Sequence, residues 1–178
     1  MLMHHGRLVF LDESYCATGM RRDFARARRG ERAFATRPFG KWKTVSLIGA
    51  IRVGQRPRMM THRGSVTGRV FLRFLRQRLV PWLHRGDVVL MDNLRAHKVK
   101  GVLETIESAG ATVLYLPPYS PDFNPIELWW ADLKRQLRKL ALDAEADLLA
   151  AVRRLRSSLP VEKVAAWFHH CVPSLQIN

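Results

Sequence analysis

Apolar residues recur along the chain with two different periods, which predict strands in some segments and helices in others. Compact apolar runs predict strands at residues 7–11, 44–53, 58–61, 87–91 and 111–116. Apolar residues spaced three or four apart predict helices at residues 66–79, 99–106, 126–140, 148–159 and 161–168. A turn at residues 54–55 joins the second and third strands into a hairpin.

Two of the helix starts can be located from their capping residues. Asn124 followed by Pro125 has the pattern of an N-cap and a first helical position. Asp143 is expected to cap the next helix in the same way. Trp129 and Trp130 lie on the apolar face of the 126–140 helix, so we interpret them as core residues.

The order of elements predicts an α/β fold with a mixed central sheet. A strand–helix–strand crossing requires parallel pairing and a right-handed connection, whereas a hairpin pairs its strands antiparallel. We therefore expect a mixed five-stranded sheet, with three antiparallel strands plus two parallel ones, flanked by helices. Residues 1–142 would form this domain, and residues 143–178 would be C-terminal helices packing on it.

Length and composition exclude several other classes of protein. A chain of 178 residues with 47% hydrophobic residues can bury one sizeable core. The longest apolar runs are about four residues, far below the roughly 20 that a membrane-spanning helix needs. Cys16 and Cys171 are too few for a disulfide framework or a zinc cluster. We expect a soluble, cytoplasmic protein with no membrane association.

Net charge predicts a polyanionic partner, with nucleic acid favoured over an anionic membrane. Thirty Lys and Arg against fifteen Asp and Glu give +15, and residues 1–63 contribute 14 of the former and 4 of the latter. The basic, apolar-poor stretch at residues 21–43 supplies the candidate DNA contacts Arg21, Arg22, Arg28, Arg29, Arg32, Lys41 and Lys43. The alternative is an ordinary solvated loop on a generally arginine-rich surface.

Two carboxylates stand where predicted strands end, and a third lies at a helix start. Asp12 follows the first strand and Asp92 the fourth, so adjacent strands would bring them together at the ligand-binding edge of the sheet. Glu127 follows Asn124 by three residues, which also resembles a capping box. Each Asp has the simpler alternative of a turn or cap residue.

Such a trio of carboxylates suits divalent metal ions. Oxygen ligands favour Mg²⁺ or Mn²⁺, and two such ions can activate the nucleophile and stabilise the leaving oxygen in phosphodiester cleavage. Basic surroundings would bind the phosphate backbone in a salt-dependent manner.

The chain contains three motifs: Leu11-Asp12-Glu13-Ser14, Met91-Asp92-Asn93 with His97, and Tyr119-Ser120-Pro121-Asp122-Phe123-Asn124-Pro125-Ile126-Glu127 followed by two tryptophans. Together these motifs resemble those of the DDE transposases, specifically the bacterial insertion-sequence branch of the Tc/mariner superfamily. The resemblance covers roughly residues 7–140, and 34 residues separate Asp92 from Glu127, as expected in this group.

The resemblance implies an RNase H-like fold and a set of site residues. Asp12, Asp92 and Glu127 would be the catalytic metal ligands, holding Mg²⁺ or Mn²⁺ as a pair of ions. Asn93, His97 and Asn124 would support them. The implied chemistry is DNA strand cleavage at transposon ends, followed by strand transfer into target DNA.

Two other functions stay open at the level of the sequence. One is a stand-alone RNase H-like nuclease, and the other is a non-catalytic, basic DNA-binding remnant. The family's N-terminal helix-turn-helix module has no counterpart in this sequence, so we expect a separate reading frame to supply it. A homodimer would bring two transposon ends together, and the protein would associate with the nucleoid.

Overall fold

A single five-stranded sheet organises the chain. The computed structural model describes residues 5–22, 26–34, 42–117 and 124–172. The strands are β1 (Leu8–Ala17), β2 (Thr44–Ile51), β3 (Arg58–Arg63), β4 (Val88–Met91) and β5 (Thr112–Tyr115). Their order is β3-β2-β1-β4-β5; β1, β2 and β3 pair antiparallel, whereas β4 pairs parallel with both β1 and β5. The predicted mixed sheet is confirmed.

Helices cover both faces of the sheet. They are α1 (Gly68–Phe74), α2 (Val102–Glu107), α3 (Pro125–Leu140), α4 (Glu145–Ser157) and α5 (Val161–Cys171). The chain continues from α1 through a π turn at Leu75–Leu79 and a 3-10 turn at Val80–Trp82. In the described ranges, none of the helices has both the length and the apolar character needed to cross a membrane.

Alternation along β1 divides the core into two parts. Leu8 and Phe10 face the core that contains residues of α3, α4 and α5, whereas Val9 and Leu11 face the one that contains residues of α1 and α2. Phe10 meets Phe168 of α5 edge to face, with 5.3 Å between ring centroids. The last two helices therefore share the core of the sheet.

Strand β1 is longer than the sequence predicts, and this changes the position of Asp12. Its parallel pairing with β4 ends at the pair Phe10 and Leu90, but its antiparallel pairing with β2 continues to Ala17. Because the second half of β1 pairs with β2 and no longer with β4, polar side chains can be accommodated there. Asp12 thus lies within the strand, and the predicted strand end at residues 12–13 was wrong.

Of the two predicted helix caps, Asn124 is confirmed in position and Asp143 is wrong. Asn124 occupies the N-cap position of α3, but its side chain makes no capping hydrogen bond; the Glu127 amide donates to its backbone oxygen at 3.1 Å. Ala144 is the N-cap of α4. Asp143 instead accepts a hydrogen bond from Arg21 at 2.6 Å, an ion pair that competes with the capping role.

Candidate active site

The parallel pairing of β1 and β4 places Asp12 and Asp92 at the same level of the sheet. The last paired residues are Phe10 and Leu90, so each aspartate stands two positions further along its chain. Neighbouring strands lie about 4.8 Å apart. The structure therefore brings together the two aspartates that the sequence singles out, at the carboxyl end of the parallel pair.

Asp12 is an almost buried carboxylate in an electronegative environment. Its exposure is 9%, and the Trp130 indole N–H donates to its Oδ2 at 3.1 Å. Burial, together with the negative charges of Glu127 and Asp92, raises the pKa of Asp12 to about 7, although two hydrogen bonds oppose the rise. Since each charge disfavours the others, the arrangement would be relieved by a cation.

Gly49 allows the indole of Trp130 to reach Asp12. It lies opposite Asp12 in β2, beneath the stacked rings of Trp129 and Trp130, whose centroids are 4.5 Å apart. A Cβ at residue 49 would lie 2.5 Å from Cη2 of Trp130 and 2.7 Å from Cζ3 of Trp129. Both tryptophans are buried, which confirms the prediction that they belong to the core.

Replacing Gly49 with alanine is expected to lower the free energy of unfolding by about 1–3 kcal/mol, because α3 must move away from the sheet. Urea unfolding measures this change. Gly6→Ala is the matched control, since no atom of the described residues lies within 4 Å of the added Cβ. If the two variants are equally stable, the contact between Gly49 and the indoles does not constrain α3.

His97 joins the second aspartate to a glutamate beside the first. Its Nδ1 lies 2.7 Å from Asp92 Oδ1, and its Nε2 lies 3.2 Å from Glu13 Oε1. The ring is fully buried and stacks on Phe71 with 4.3 Å between centroids. The side chain therefore has one orientation, fixed by a carboxylate at each nitrogen.

These contacts determine the charge states of His97 and Asp92. Burial opposes the imidazolium, but hydrogen bonds to Asp92 and Glu13 and their negative charges raise the pKa of His97 to about 9. Burial likewise opposes the charged form of Asp92, yet hydrogen bonds from His97 and the Leu94 amide hold the pKa of this carboxyl below its usual value. At neutral pH, the pair is an imidazolium next to a carboxylate.

The other candidate residues occupy the same end of the sheet. Glu127 is exposed in the first turn of α3, and its charge contributes to the raised pKa of Asp12. Asn124 is buried, and its Oδ1 has no hydrogen-bond partner in the part of the chain that the structure describes. Asn93 is exposed and donates from Nδ2 to the Leu116 carbonyl at 3.0 Å, which ties the end of β4 to that of β5.

A divalent ion fits the donor set of this site. Asp12, Asp92 and Glu127 offer carboxylate oxygens, which Mg²⁺ and Mn²⁺ prefer, and the repulsion that raises the pKa of Asp12 would be relieved by such an ion. In the present side-chain arrangement, no three His, Cys, Asp or Glu residues within the described ranges are grouped as a metal centre. Residues 118–123, which carry most of the third motif, lie outside those ranges.

The basic residues predicted to contact DNA differ in their availability. The Arg21 side chain is 17% exposed and pairs with Asp143, whereas Lys43 pairs with Glu145 at 3.6 Å. The remaining described members of the set are exposed or partly exposed: Arg22, Arg28, Arg29 and Arg32. Lys41 lies outside the described residues. Arg21 is therefore less accessible than the other described members, whereas Lys43 keeps 68% of its side chain exposed despite its ion pair.

Two residues of the site could not be identified as contacts from the sequence. Trp130 is separated from Asp12 by 118 positions, so only the packing of α3 on the sheet shows its hydrogen bond. Glu13 reaches His97 across 84 positions. The available signal for Glu13 was its position next to Asp12 in the sequence. That signal is weak, because adjacent strand residues point to opposite faces of the sheet.

The sheet order, and the carboxylates just beyond the parallel pairing of β1 with β4, define an RNase H-like domain with an acidic site. A family model described as DDE superfamily endonuclease matches residues 7–148, and the chain belongs to this family. No curated protein sequence is significantly similar to the chain.

Solved structures of the Mos1 transposase share the fold. The Mos1 strand transfer complex superposes with a TM-score of 0.76 at 19% identity, over 96% of this chain and 53% of that chain. The catalytic domain of Mos1 mariner transposase superposes with a TM-score of 0.65 at 18% identity, over 93% of this chain and 77% of that chain. The Mos1 catalytic domain with raltegravir and Mg superposes with a TM-score of 0.68 at 17% identity, over 97% of this chain and 81% of that chain. The chain therefore spans about half the length of the Mos1 chains in the DNA complexes.

Proposed function

We propose that this chain is the catalytic domain of a Tc/mariner-type transposase. It would cleave DNA strands at transposon ends and transfer them into target DNA. The observation that carries the proposal is the placement of Asp12 and Asp92 at one level of the sheet, with Glu127 close enough to raise the pKa of Asp12. Membership of the DDE endonuclease family and the fold shared with Mos1 transposase support it.

Asp12, Asp92 and Glu127 are the proposed catalytic residues and metal ligands. A pair of Mg²⁺ or Mn²⁺ ions bound there would activate the attacking oxygen and stabilise the charge on the leaving oxygen. Structures of the Mos1 catalytic domain with Mg and with Mn support this choice of ions. The Trp130 indole N–H donates a hydrogen bond to one oxygen of Asp12 and so fixes the direction of the carboxylate.

His97 is the proposed positioning residue for Asp92. Its protonated ring donates to Asp92 and to Glu13, so it keeps Asp92 ionised and restricts its rotation. Asn93 supports the same loop through its hydrogen bond to Leu116. The buried amide oxygen of Asn124, which has no partner among the described residues, leaves a further acceptor at the start of α3.

DNA is the proposed partner, and the exposed side chains of Arg22, Arg28, Arg29 and Arg32 are its proposed contacts. A helix-turn-helix module would recognise the transposon ends, and a homodimer would pair them. Such a protein would work in the cytoplasm on the DNA of the nucleoid.

Nicking of supercoiled plasmid tests the proposal. The wild-type protein with Mg²⁺ or Mn²⁺ is expected to convert plasmid to the nicked form, whereas EDTA or Asp92→Asn should prevent the conversion and leave DNA binding intact. Joining of a pre-cut transposon end to target DNA separates a transposase from a simple nuclease. Metal-independent nicking, or equal loss of binding and cleavage in the variant, would contradict the assignment.

A further inference from the structure

A groove lined by arginines follows the outer edge of the sheet. Its floor is Met59, Met60 and Thr61 of β3. Its walls carry Arg58, Arg73, Arg78, Arg153 and Arg156. Two concavities of about 480 and 230 Å³ make up the groove, and they share Arg78 and Arg156. Consecutive strand residues face opposite sides of a sheet. A groove that contacts three consecutive residues of β3 must therefore run along the edge of this strand rather than over one face.

The groove has positive charge without acidic neighbours. Among the described residues, neither concavity is lined by an aspartate or a glutamate. Burial and the charges of Arg58, Arg78 and Arg56 lower the pKa of Arg156. The guanidinium groups therefore repel one another in the unbound protein, and a ligand with several negative charges would relieve the repulsion.

The groove is separate from the carboxylate site. Strand β3 is at the edge of the sheet, two strands from β1 and three from β4. At a spacing of about 4.8 Å per strand, its edge lies about 10 Å from β1 and about 14 Å from β4. None of Asp12, Asp92 and Glu127 lines it.

We propose that the arginine groove along β3 binds the phosphate backbone of duplex DNA at a distance from the cleavage site. The inference rests on the proposed function, which makes DNA the polyanion present. Guanidinium forks match phosphate oxygens in pairs, and a groove lined by five of them suits several phosphates rather than one small anion. The groove holds a stretch of duplex outside the carboxylate site and adds affinity that is independent of sequence and metal.

The test compares two double variants by fluorescence anisotropy with a short labelled duplex in EDTA. Arg78→Gln/Arg156→Gln removes two charges from the groove. Arg85→Gln/Arg154→Gln removes two exposed charges that do not line it: Arg85 precedes β4 in the other half of the sheet, and Arg154 adjoins Arg153 on α4. Both doubles therefore have the same net charge.

The groove variant is expected to bind about 10-fold more weakly at about 50 mM NaCl. Its plot of log affinity against log salt should be shallower by about 1.8, the value for two lost phosphate contacts, and the control should keep more of the wild-type slope. Equal slopes in the two double variants would overturn the proposal. So would loss of polyglutamate binding with unchanged duplex binding, since the groove would then fit an acidic protein.

A cleavage measurement separates this proposal from the proposed function. At saturating DNA, the groove variant should nick plasmid at the wild-type rate, because the carboxylates are untouched. If wild-type protein does not nick DNA, the proposed function fails, whereas the difference in salt slope still decides the role of the groove. Equal thermal unfolding of the two double variants shows that binding changes are not caused by misfolding.

Discussion

Replacing Asp12 with asparagine is expected to abolish metal-dependent DNA cleavage and to stabilise the metal-free protein at alkaline pH. The loss of cleavage should be about 1,000-fold or more, or about 4 kcal/mol of transition-state stabilisation, because the amide is a poor ligand for a divalent ion. Plasmid nicking measures the loss. The gain in stability has an electrostatic origin, since Asp12 is nearly buried beside two other carboxylates.

The sign of the stability change follows from proton binding. The pKa of Asp12 is about 7 in the folded protein, against an ordinary value of 3.8. Between these values the folded state binds more protons than the unfolded state, so the free energy of unfolding falls as pH rises from about 4 to about 7. The full penalty is on the order of 4 kcal/mol. An asparagine side chain has no charge to bury, so we expect Asp12→Asn to gain about 1–3 kcal/mol at about pH 8 and nothing at about pH 4.

Urea unfolding in EDTA at the two pH values measures this difference. The contribution of His97 cancels, because both proteins contain it. In buffer without EDTA, Mg²⁺ or Mn²⁺ should stabilise the wild type and leave the variant unchanged. A variant that is less stable than the wild type at both pH values would contradict the electrostatic origin of the gain, and retained cleavage would remove Asp12 from the site.

The position of the site could be predicted from the sequence because one of its aspartates ends a regular element. The apolar run of β4 stops at Met91, so Asp92 was located by periodicity alone. The strand-end argument for Asp12 was wrong: β1 continues to Ala17, and its register with β4 brings the two aspartates together. Register depends on pairing between distant segments, which a local pattern does not contain.

The contacts around the candidate site could not be predicted from the sequence for the same reason, because they join distant segments of the chain. Gly49 had no visible role until the tryptophans of α3 were seen to cover it. The pairing of Arg21 with Asp143, 122 positions away, was not predicted either. Arg58 and Arg156 line one groove although 98 positions separate them in the sequence. Charge counts along the chain drew attention to residues 21–43 and missed that groove.

Replacing Asp87 with alanine is expected to be the most destabilising single change considered. Asp87 accepts two hydrogen bonds from Arg52, at 2.8 and 3.1 Å, and the two side chains are only 2% and 5% exposed. It also accepts from the His84 amide at 2.7 Å, and Arg52 donates to the Gly6 carbonyl at 2.8 Å. The pair thus joins the segment after β2 to those before β4 and β1.

Loss of one member of a buried ion pair leaves the other charged and without its partner. We expect Asp87→Ala to lower the free energy of unfolding by about 3–5 kcal/mol, and the melting temperature by about 10 °C. Asp143→Ala is the control, because its pair with Arg21 is more exposed and should contribute about 1 kcal/mol or less. Arg52→Met/Asp87→Leu removes both charges and should recover most of the stability.

If Asp87→Ala lowers the free energy of unfolding no more than Asp143→Ala does, water must reach Arg52. If the double variant is as unstable as the single one, the loss comes from packing rather than from an unpaired charge.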